Sequence, residues 1–341
     1  MASVRARLRQ LLGGRQAQPL AAGLPEEDVL DFLYPYTQGD PAERERVRAF
    51  VRQCNPIRTL ADIRPFLARA EQQTAPSPVV LRFGTDDLAT YSLEGLTLFA
   101  LRDDPAVSEE ILRGETYEPH VDATLRKLCR AGDHVVDVGA NIGVHTFLMS
   151  LLVGQGGSVT ALEPNSENCR LIILGVLENG IANVTLWPIA ASTQVGWSYY
   201  ATHYGSNGGF VADDRTAITS GRGVVVPVFP LDELTMPRPV SLMKLDVEGA
   251  EGLVVGGALR ILKEDRPVVL TELSAEMLER VSGLGIPEYL ETFVGLGYRI
   301  FIIERPTGEW TESSLPELQA LRMDDPFRID DLLLLPRDRT A

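Results

Sequence analysis

The sequence predicts an α/β protein whose core is a mostly parallel sheet with helices on both faces. From residue 133 onward, short apolar segments rich in β-branched residues alternate with segments whose apolar residues recur at helical spacing. A loop containing Gly139 and Gly143 joins the first strand of this series to its first helix. Such alternation is typical of parallel strands connected by right-handed crossovers.

Three regions are predicted along the chain. Residues 1–25 form a basic segment, with arginines at positions 5, 7, 9 and 15, which we expect to be flexible. Residues 26–105 form a mainly helical accessory region with a small β element, whose strands are predicted at 79–83 and 90–101. Residues 106–341 form the α/β domain.

The first strand, loop and helix of this domain organise the rest of it. Residues 134–138 are short, apolar and β-branched, as in a strand buried on both faces. After the loop, Val144, Phe147 and Leu148 begin an apolar stripe that predicts an amphipathic helix. We expect a concave site here, in which a ligand approaches backbone N–H groups and Asp137 directs its carboxylate toward that ligand.

The remaining elements follow in chain order. Further strands are predicted at 158–162, 184–191, 241–245, 268–273, 298–303 and 332–335. Asn165 or Ser166 caps the helix after the second strand, and Ser274 caps the helix after the fifth. One long helix follows the fourth strand and is predicted to bury a stripe of six residues: Leu253, Val254, Gly257, Ala258, Ile261 and Leu262.

Composition and charge restrict the class of protein. Of the 341 residues, 45% are hydrophobic and 23% are charged, which is ordinary for a globular protein. A net charge of −15 argues against nucleic-acid partners and anionic membranes, and no apolar run reaches the length of a membrane span. Cys54, Cys129 and Cys169 lie far apart without metal-ligand spacing, so we expect reduced thiols in a cytoplasmic protein and no bound zinc.

Candidate functional residues collect at one edge of the predicted sheet. In an open α/β sheet the ligand lies outside the carboxyl ends of the strands, beside the first strand. Glu163 lies about 20 residues after Gly143, the spacing at which an acid reaches a nucleotide ribose. Its structural alternative is to cap the following helix. The rule that ligands bind at the carboxyl ends of the strands, called the edge rule below, brings six residues together. They are Asp137, Gly139, Glu163, Asp246, Glu248 and Glu272.

The glycine loop differs from the fingerprint of dinucleotide-binding proteins. That fingerprint places three glycines as G-x-G-x-x-G so that a pyrophosphate sits on the helix N-terminus. Here Asp137 precedes Gly139, and Asn141 stands between the two glycines. A carboxylate repels a pyrophosphate and attracts an ammonium group. An NAD(P)-dependent Rossmann oxidoreductase is therefore the second-ranked class, and a nucleotide-binding scaffold without catalysis is a further alternative.

Several motifs together resemble the FkbM family of methyltransferases. They are Asp137-Val-Gly-Ala-Asn-Ile-Gly143, Glu163-Pro164, Ala190-Ala191-Ser192, Lys244-Leu-Asp-Val-Glu-Gly-Ala-Glu251 and, upstream, Tyr117-Glu118-Pro119. The resemblance covers residues 109–336. It implies a Rossmann-like class I fold with a seven-stranded sheet, whose last-inserted strand is antiparallel. It also implies methyl transfer from S-adenosylmethionine, usually to oxygen, with hydroxyls of small molecules, sugars or glycoconjugates as acceptors.

The resemblance and the edge rule nominate the cofactor-binding residues, which are Glu118, Asp137, Gly139, Ala140, Asn141, Gly143, Glu163, Pro164, Ala190 and Asp246. For catalysis, an aliphatic hydroxyl must lose its proton as the methyl group arrives, and a nearby carboxylate can accept it. Asp246 and Glu248 are the candidate bases, and His145 is another. Lys244 and Glu251 are more simply explained as an internal ion network.

Two further features bear on metal and acceptor. Asp246, Glu248 and Glu272 could offer oxygen ligands to Mg²⁺ and so acidify the acceptor hydroxyl, a mechanism ranked below the metal-free one. The aromatic stretch 197–210 lies between the third and fourth strands and suits stacking on a sugar or flat ring. It nominates His203, Tyr204 and Asn207 for the acceptor, together with Glu272. The alternative for this stretch is a β-hairpin that covers the sheet edge, and homo-oligomerisation also stays open.

Overall fold

The computed structural model divides the chain into two compact units, residues 1–83 and 84–341. It describes residues 87–204, 206–210, 223–305, 307–324 and 329–339, all in the second unit. The basic segment, the predicted helices before residue 74 and the strand at 79–83 lie outside these residues. So do the side chains of residues 202–204, 223 and 321–324.

The described elements alternate between strands and helices as the sequence predicts. The strands are β1 Leu88–Leu93, β2 Leu96–Leu101, β3 His134–Val138, β4 Ser158–Leu162, β5 Val184–Trp187, β6 Ala190–Ala191, β7 Gly196–Tyr204, β8 Asn207–Phe210, β9 Gly223–Phe229, β10 Val240–Leu245, β11 Val268–Ser274, β12 Tyr298–Glu304, β13 Glu309–Ser313 and β14 Ile329–Pro336. The helices are α1 Val107–Leu112, α2 Pro119–Leu128, α3 Val144–Val153, α4 Ser166–Asn179, α5 Glu251–Gly256, α6 Leu259–Glu264, α7 Ala275–Ser282, α8 Ile286–Gly295 and α9 Leu315–Asp324.

The main sheet has the order β13-β12-β14-β11-β10-β3-β4-β5. Strands β5, β4, β3, β10 and β11 are parallel, and β14 runs antiparallel between β11 and β12. The fold is therefore α/β and Rossmann-like, with the antiparallel strand where a class I methyltransferase has it. Within the described residues the sheet has eight strands instead of the expected seven, because β13 turns back on β12 as an edge hairpin.

Each face of the sheet is covered by its own helices. Val136 and Met243 pack with α5, α6 and α8 on one face. Val135 and Leu242 pack with α2 and α3 on the other. Because side chains alternate between faces along a strand, Asp137 shares a face with Val135, and its register partner Lys244 shares that face with Leu242. Strand geometry thus directs both charged side chains toward α2 and α3.

The hairpin β1–β2 packs on α4, where Thr97 N donates to Asn179 Oδ1 at 2.9 Å and Asn179 Nδ2 donates to Thr97 O at 2.8 Å. The hairpin therefore belongs to the same compact unit as the main sheet. That unit begins at residue 84. The boundary at 105/106 between the accessory region and the α/β domain stays a prediction.

Two predicted elements are interrupted in the structure. The helix expected across 253–262 is two helices, α5 and α6, that meet at Gly257. A Cβ at Gly257 would lie 2.1 Å from Ser192 O, so the chain passes against a neighbouring loop there. The strand expected at 184–191 is divided into β5 and β6, and Pro188 stands between them.

The segment between β5 and β10 forms a second sheet of order β6-β9-β7-β8. Its outer face exposes Trp197 and Tyr199, whereas Tyr200, one position on, is buried. The stretch 197–210 is therefore a β-hairpin, and its alternate residues face in different directions. No helix in the described part of the chain is long and apolar enough to cross a membrane.

Candidate active site

A cleft of about 810 Å³, including its open mouth, lies at the carboxyl ends of β3, β4, β10 and β11. This is the edge at which open α/β sheets bind ligands. Its lining comes from β-strand ends, the segment before α2 and the second sheet: Tyr117, Glu118, Val138, Gly139, Asn141, Leu162, Glu163, Pro164, Ile189, Ala190, Ala191, Tyr200, Ser206, Asn207, Gly208, Gly209, Phe210, Asp246, Val247, Glu248, Ala250 and Glu272.

The glycines of the loop are required by packing within the protein. Gly139 has φ +83°, and a Cβ there would lie 1.8 Å from Asp246 O. Gly143 has φ +94°, and a Cβ there would lie 2.9 Å from side-chain carbons of Ile172 and Phe147. Both the positive φ and the absence of space exclude other residues. The loop has no large side chains at these two positions because the end of β10 and helix α4 lie close to its backbone.

The backbone N–H groups of the loop all have acceptors inside the protein. Gly139 N and Ala140 N both donate to Leu162 O at 3.0 Å. Asn141 N donates to Glu163 Oε2 at 2.8 Å. The N–H groups of residues 142 and 143 donate within the loop itself. Contrary to the expectation from sequence, none of the five N–H groups is left for a ligand.

Glu163 combines the two roles considered for it from sequence. Its Oε2 accepts from Asn141 N and its Oε1 from Asn165 N, both at 2.8 Å, so it supports the loop and the start of α4. It also lines the cleft. Each carboxylate oxygen can accept a second hydrogen bond. Burial raises the pKa of Glu163 to about 8, although the hydrogen bonds act in the opposite direction.

Four more carboxyl groups line the other end of the cleft, on Glu118, Asp246, Glu248 and Glu272. Beneath them lies Lys244, which is buried and whose Nζ donates to Asp246 Oδ2 at 2.8 Å. Burial lowers the pKa of Lys244, but Asp246 and the other nearby carboxylates raise it by more, so the ammonium group stays charged. One buried cation thus faces a cluster of acids.

This crowding of acids changes their protonation. Burial, and after it the charge of Asp246, raises the pKa of Glu118 to about 8 and that of Glu272 to about 9. The same two causes raise the pKa of Glu248. Protons are therefore held at this end of the cleft at pH values where exposed carboxyl groups have lost them.

Comparison with known proteins identifies the domain. Residues 137–300 match the sequence model of the methyltransferase FkbM domain. Residues 137–300 are an FkbM methyltransferase domain. The Lys244-to-Glu251 motif and the glycine loop both lie inside the matched range. A search of curated proteins gave no significant match.

Several solved structures are similar to the chain at low identity. Methyltransferase FkbM from Methylobacillus flagellatus is 17% identical over 62% of this chain, with a TM-score of 0.36, and the chain spans half of its length. A SAM-dependent O-methyltransferase from Thermotoga maritima is 13% identical over 74% of this chain and 79% of its own, with a TM-score of 0.36. Fibrillarin from Aeropyrum pernix with natively bound S-adenosyl-L-methionine is 13% identical over 72% of this chain and 81% of its own, with a TM-score of 0.34.

Most residues nominated from sequence for the FkbM site line the cleft, but three cofactor candidates do not: Asp137, Ala140 and Gly143. Asp137 is buried on the α3 side of the sheet, where Thr146 Oγ1 donates to its Oδ2 at 2.5 Å. Burial raises its pKa, while Lys244 and Thr146 act in the opposite direction. The prediction that Asp137 directs its carboxylate into the cleft is wrong, because strand alternation turns it toward the helices.

His145, nominated as a base, is also absent from the cleft lining. Its ring is buried beside Tyr117, with centroids 5.6 Å apart, and its Nδ1 lies 3.8 Å from Glu118 Oε2. Burial, followed by the charge of Lys244, holds its pKa well below the ordinary value. His145 therefore supports the wall of the FkbM site as a neutral ring and does not reach the open cleft.

The acceptor candidates have a mixed outcome. Asn207 and Glu272 line the cleft, and Asn207 Oδ1 accepts from Asn141 Nδ2 at 2.8 Å. The side chains of His203 and Tyr204 lie outside the described residues. For the Mg²⁺ alternative, no group of three or more His, Cys, Asp or Glu side chains within the described ranges is arranged to hold a metal ion.

Sequence reasoning missed Tyr200, Ser206 and Arg305. Arg305 Nη2 donates to Glu272 Oε1 at 3.2 Å, and Arg305 Nε donates to Asp331 Oδ2 at 2.6 Å. Because β12 runs parallel to β11 in the sheet, the edge rule applied to its carboxyl end would have found Arg305. Tyr200 and Ser206 carry no such signal, because they depend on how the second sheet folds over the cleft.

Proposed function

We propose that the chain transfers the methyl group of S-adenosylmethionine to a hydroxyl of a neutral or cationic acceptor, such as a small molecule, sugar or glycoconjugate. The observation that carries this proposal is the pairing of an acidic cleft with a glycine loop that has no free N–H groups. The cytoplasmic location expected from the separated cysteines is part of the proposal, and Cys129 and Cys169 are buried free thiols.

The cleft residues fit this cofactor better than a dinucleotide. A pyrophosphate needs free backbone N–H groups and repels carboxylates, whereas the loop has none free and the cleft carries five acids. A ligand with a sulfonium and an ammonium group is attracted by the ionised carboxylates of this cleft, and its positive charge favours the ionised form of the others. Glu163 would accept hydrogen bonds from the ribose hydroxyls, and the apolar walls at Ile189 and Ala190 would flank the base.

The cofactor would supply an activated methyl group, so the protein must align the acceptor and take its proton. We propose that Asp246 accepts this proton. Its Oδ2 accepts a hydrogen bond from Lys244 Nζ at 2.8 Å. The buried ammonium supplies the counter-charge for this carboxylate. The cofactor would supply the methyl group, and Asp246 would accept the hydroxyl proton of the acceptor. Glu248, also on the cleft wall, is the second candidate base.

The charge at this end of the cleft also bears on the acceptor. Glu118, Asp246, Glu248 and Glu272 would repel a phosphate or carboxylate placed among them. A polyhydroxylated or amine-bearing acceptor is favoured, since carboxylates accept from hydroxyl and ammonium groups. The ring of Phe210 offers an apolar surface on which a sugar could stack.

Calorimetric titration with S-adenosylhomocysteine tests the cofactor assignment. We expect binding to the wild type and a loss of about 10- to 100-fold in Glu163→Ala, because the variant removes the ribose contact and leaves Asn141 N and Asn165 N without their acceptor. Glu163→Gln should lose less, because the amide keeps one acceptor. Glu304→Gln, at a strand end that does not line the cleft, is the control. Binding of NAD without binding of S-adenosylhomocysteine would favour the oxidoreductase class.

Asp246→Asn tests the chemistry once an acceptor is found. We expect turnover to fall by about 100-fold or more, the usual contribution of a general base, with little change in affinity for S-adenosylhomocysteine. Unchanged turnover would remove Asp246 from the mechanism. Restoration of an EDTA-treated enzyme by Mg²⁺ would favour the metal-assisted alternative.

A further inference from the structure

Ser206 carries an unused hydrogen-bonding group in the wall of the cleft. The residue is only 4% exposed, and it lies in the turn between β7 and β8. Its Oγ is buried and has no hydrogen-bond partner within the described residues, although the residue lines the cleft. Buried hydroxyls without a partner are rare in native proteins, because leaving one unpaired is unfavourable. Such a group points to a ligand.

The backbone of Ser206 is held from two sides. Its N–H donates to Asp104 Oδ1 at 2.7 Å, across 102 residues of sequence. Its carbonyl oxygen accepts from Asn168 Nδ2 at 3.0 Å. Asp104 is itself buried and also accepts from Ala106 N at 3.2 Å and Ser108 N at 3.1 Å. The backbone of Ser206 is therefore held at a defined position in the cleft wall.

The surroundings of Ser206 place it at the Glu163 end of the cleft. Asn168, which binds its carbonyl, lies in the first turn of α4, and α4 begins directly after the Glu163-Pro164 motif. The next residue, Asn207, binds Asn141, whose N–H is bound by Glu163. Ser206 thus lies where the proposed function places the nucleoside, away from the acidic end where the methyl group would be transferred.

We propose that the Ser206 hydroxyl hydrogen-bonds the adenosine part of the cofactor, and that Asp104 and Asn168 are positioning residues that orient it. A hydroxyl can donate to a ring nitrogen or accept from an amino or ribose hydroxyl group, so either partner is compatible. Asp104 lies outside the matched domain range of 137–300. This inference rests on the proposed function, since it takes S-adenosylmethionine as the ligand.

Ser206→Ala tests the contact directly, by affinity for S-adenosylhomocysteine and by the melting temperature of the ligand-free protein. We expect Kd to rise about tenfold, while the melting temperature stays the same or rises, because the variant removes an unpaired buried hydroxyl. Ser150→Ala is the matched control. Ser150 Oγ donates to Asn183 Oδ1 at 2.7 Å away from the cleft, so this variant should lose stability and keep its affinity.

Asp104→Asn tests the positioning role. It replaces one acceptor oxygen by a donor, so we expect the affinity to fall as in Ser206→Ala and amide exchange at residues 206–210 to accelerate. The double variant should bind no more than about twofold more weakly than Ser206→Ala, since both changes act on one contact. If Asp104→Asn fails to fold, Asp104→Ser keeps a short helix-capping acceptor and is measured in its place.

The outcomes separate the two proposals. If the wild type binds S-adenosylhomocysteine and Ser206→Ala binds it equally well, this inference is overturned and the proposed function stands. If the wild type does not bind it, both are overturned. Independent, additive losses in the double variant would remove Asp104 from the positioning role.

Discussion

The two ends of the cleft are built on different principles. At the loop end, residues 139–143 and Glu163 satisfy one another, and every loop N–H has an acceptor within the protein. At the acidic end, Glu118, Asp246, Glu248 and Glu272 line the cleft, and the buried Lys244 donates to Asp246. Close packing determines the shape of the first end, and unbalanced charge determines the properties of the second.

This difference indicates how each end should respond to change. A close-packed backbone tolerates no added atoms, and the pH dependence of the loop end comes from the side chain of Glu163. A cluster of like charges tolerates small changes of shape, but it depends on pH and on any bound cation. A cationic ligand would relieve the acidic end, so that end is where binding energy and stability are coupled.

The largest effect is expected at the loop end, from Gly139→Ala. The substitution forces a side chain into a left-handed backbone and places its Cβ 1.8 Å from Asp246 O. We expect the free energy of unfolding to fall by about 3 to 5 kcal/mol, from backbone strain and overpacking together. Chemical denaturation measures this.

Gly180→Ala is the control for that prediction. Gly180 also has a positive φ, +61°, but a Cβ there would meet no atom within 4 Å. The free energy of unfolding of Gly180→Ala should fall by only about 1 kcal/mol, because backbone strain is the only cost of this substitution. Equal losses in the two variants would show that the approach of the loop to β10 is not what makes Gly139 necessary.

The next effect is expected at the acidic end, from Lys244→Met. Removing this cation leaves Asp246 and its acidic neighbours without their buried counter-charge. We expect a loss of about 3 kcal/mol in the free energy of unfolding, as for other broken buried ion pairs. Lys263→Met, on the exposed side of α6, should change stability by less than about 0.5 kcal/mol.

A third prediction concerns pH. Burial raises the pKa of Glu118 and of Glu163 to about 8 and that of Glu272 to about 9, all above their ordinary value. The folded protein therefore binds protons that the unfolded chain has lost, so the stability of the ligand-free protein should fall from about pH 5, just above the ordinary carboxyl pKa, up to about pH 9. Each such group contributes a slope of about 1.4 kcal/mol per pH unit at most.

Glu272→Gln sharpens this prediction, because it removes one titrating group from the acidic end and should flatten the decline above pH 8. His145 does not interfere in this range, since its lowered pKa affects stability only below its ordinary value. Unfolding midpoints measured from pH 6 to 10 provide the test. Stability that rises across pH 7 to 9 would contradict the crowding of acids described above.

The smallest effect concerns the link between the loop and the second sheet. Asn141 Nδ2 donates to Asn207 Oδ1 at 2.8 Å, and Asn207→Ala removes that bond. We expect a loss of about 1 kcal/mol. In the background of Asn141→Gly, which keeps the positive φ of 50° without strain, Asn207→Ala should have almost no effect. A full loss in that background would show that Asn207 acts elsewhere.

Much of the fold was predictable from local pattern. The first strand at 134–138, the second at 158–162 and the start of the following helices agree with the structure, because apolar periodicity and caps are properties of short segments. The split of the helix at Gly257 was not predictable in this way. It results from the close approach of Ser192, which is 65 positions away in the sequence.

The sequence predicted at which edge of the sheet the candidate site lies, but it did not predict the direction in which each side chain points. The carboxyl-end rule located Glu163, Asp246, Glu248 and Glu272 correctly on the cleft. It failed for Asp137 because a strand residue one position from the end can face either layer. His145 follows the loop in sequence, yet the start of α3 buries its ring beside Tyr117.

The sequence by itself determined the alternation of strands and helices, the bulk-free loop and the acids at the strand ends, because each depends on residues close together in the chain. Three relations were decided only by the tertiary structure. All the loop N–H groups donate to acceptors within the protein, Lys244 is buried beside Asp246, and Asp104 accepts from the backbone N–H of Ser206 in the cleft wall. Those relations join segments far apart in the chain, and Asp104 and Ser206, for example, are separated by 102 positions. They follow from how elements pack, and no local pattern encodes that.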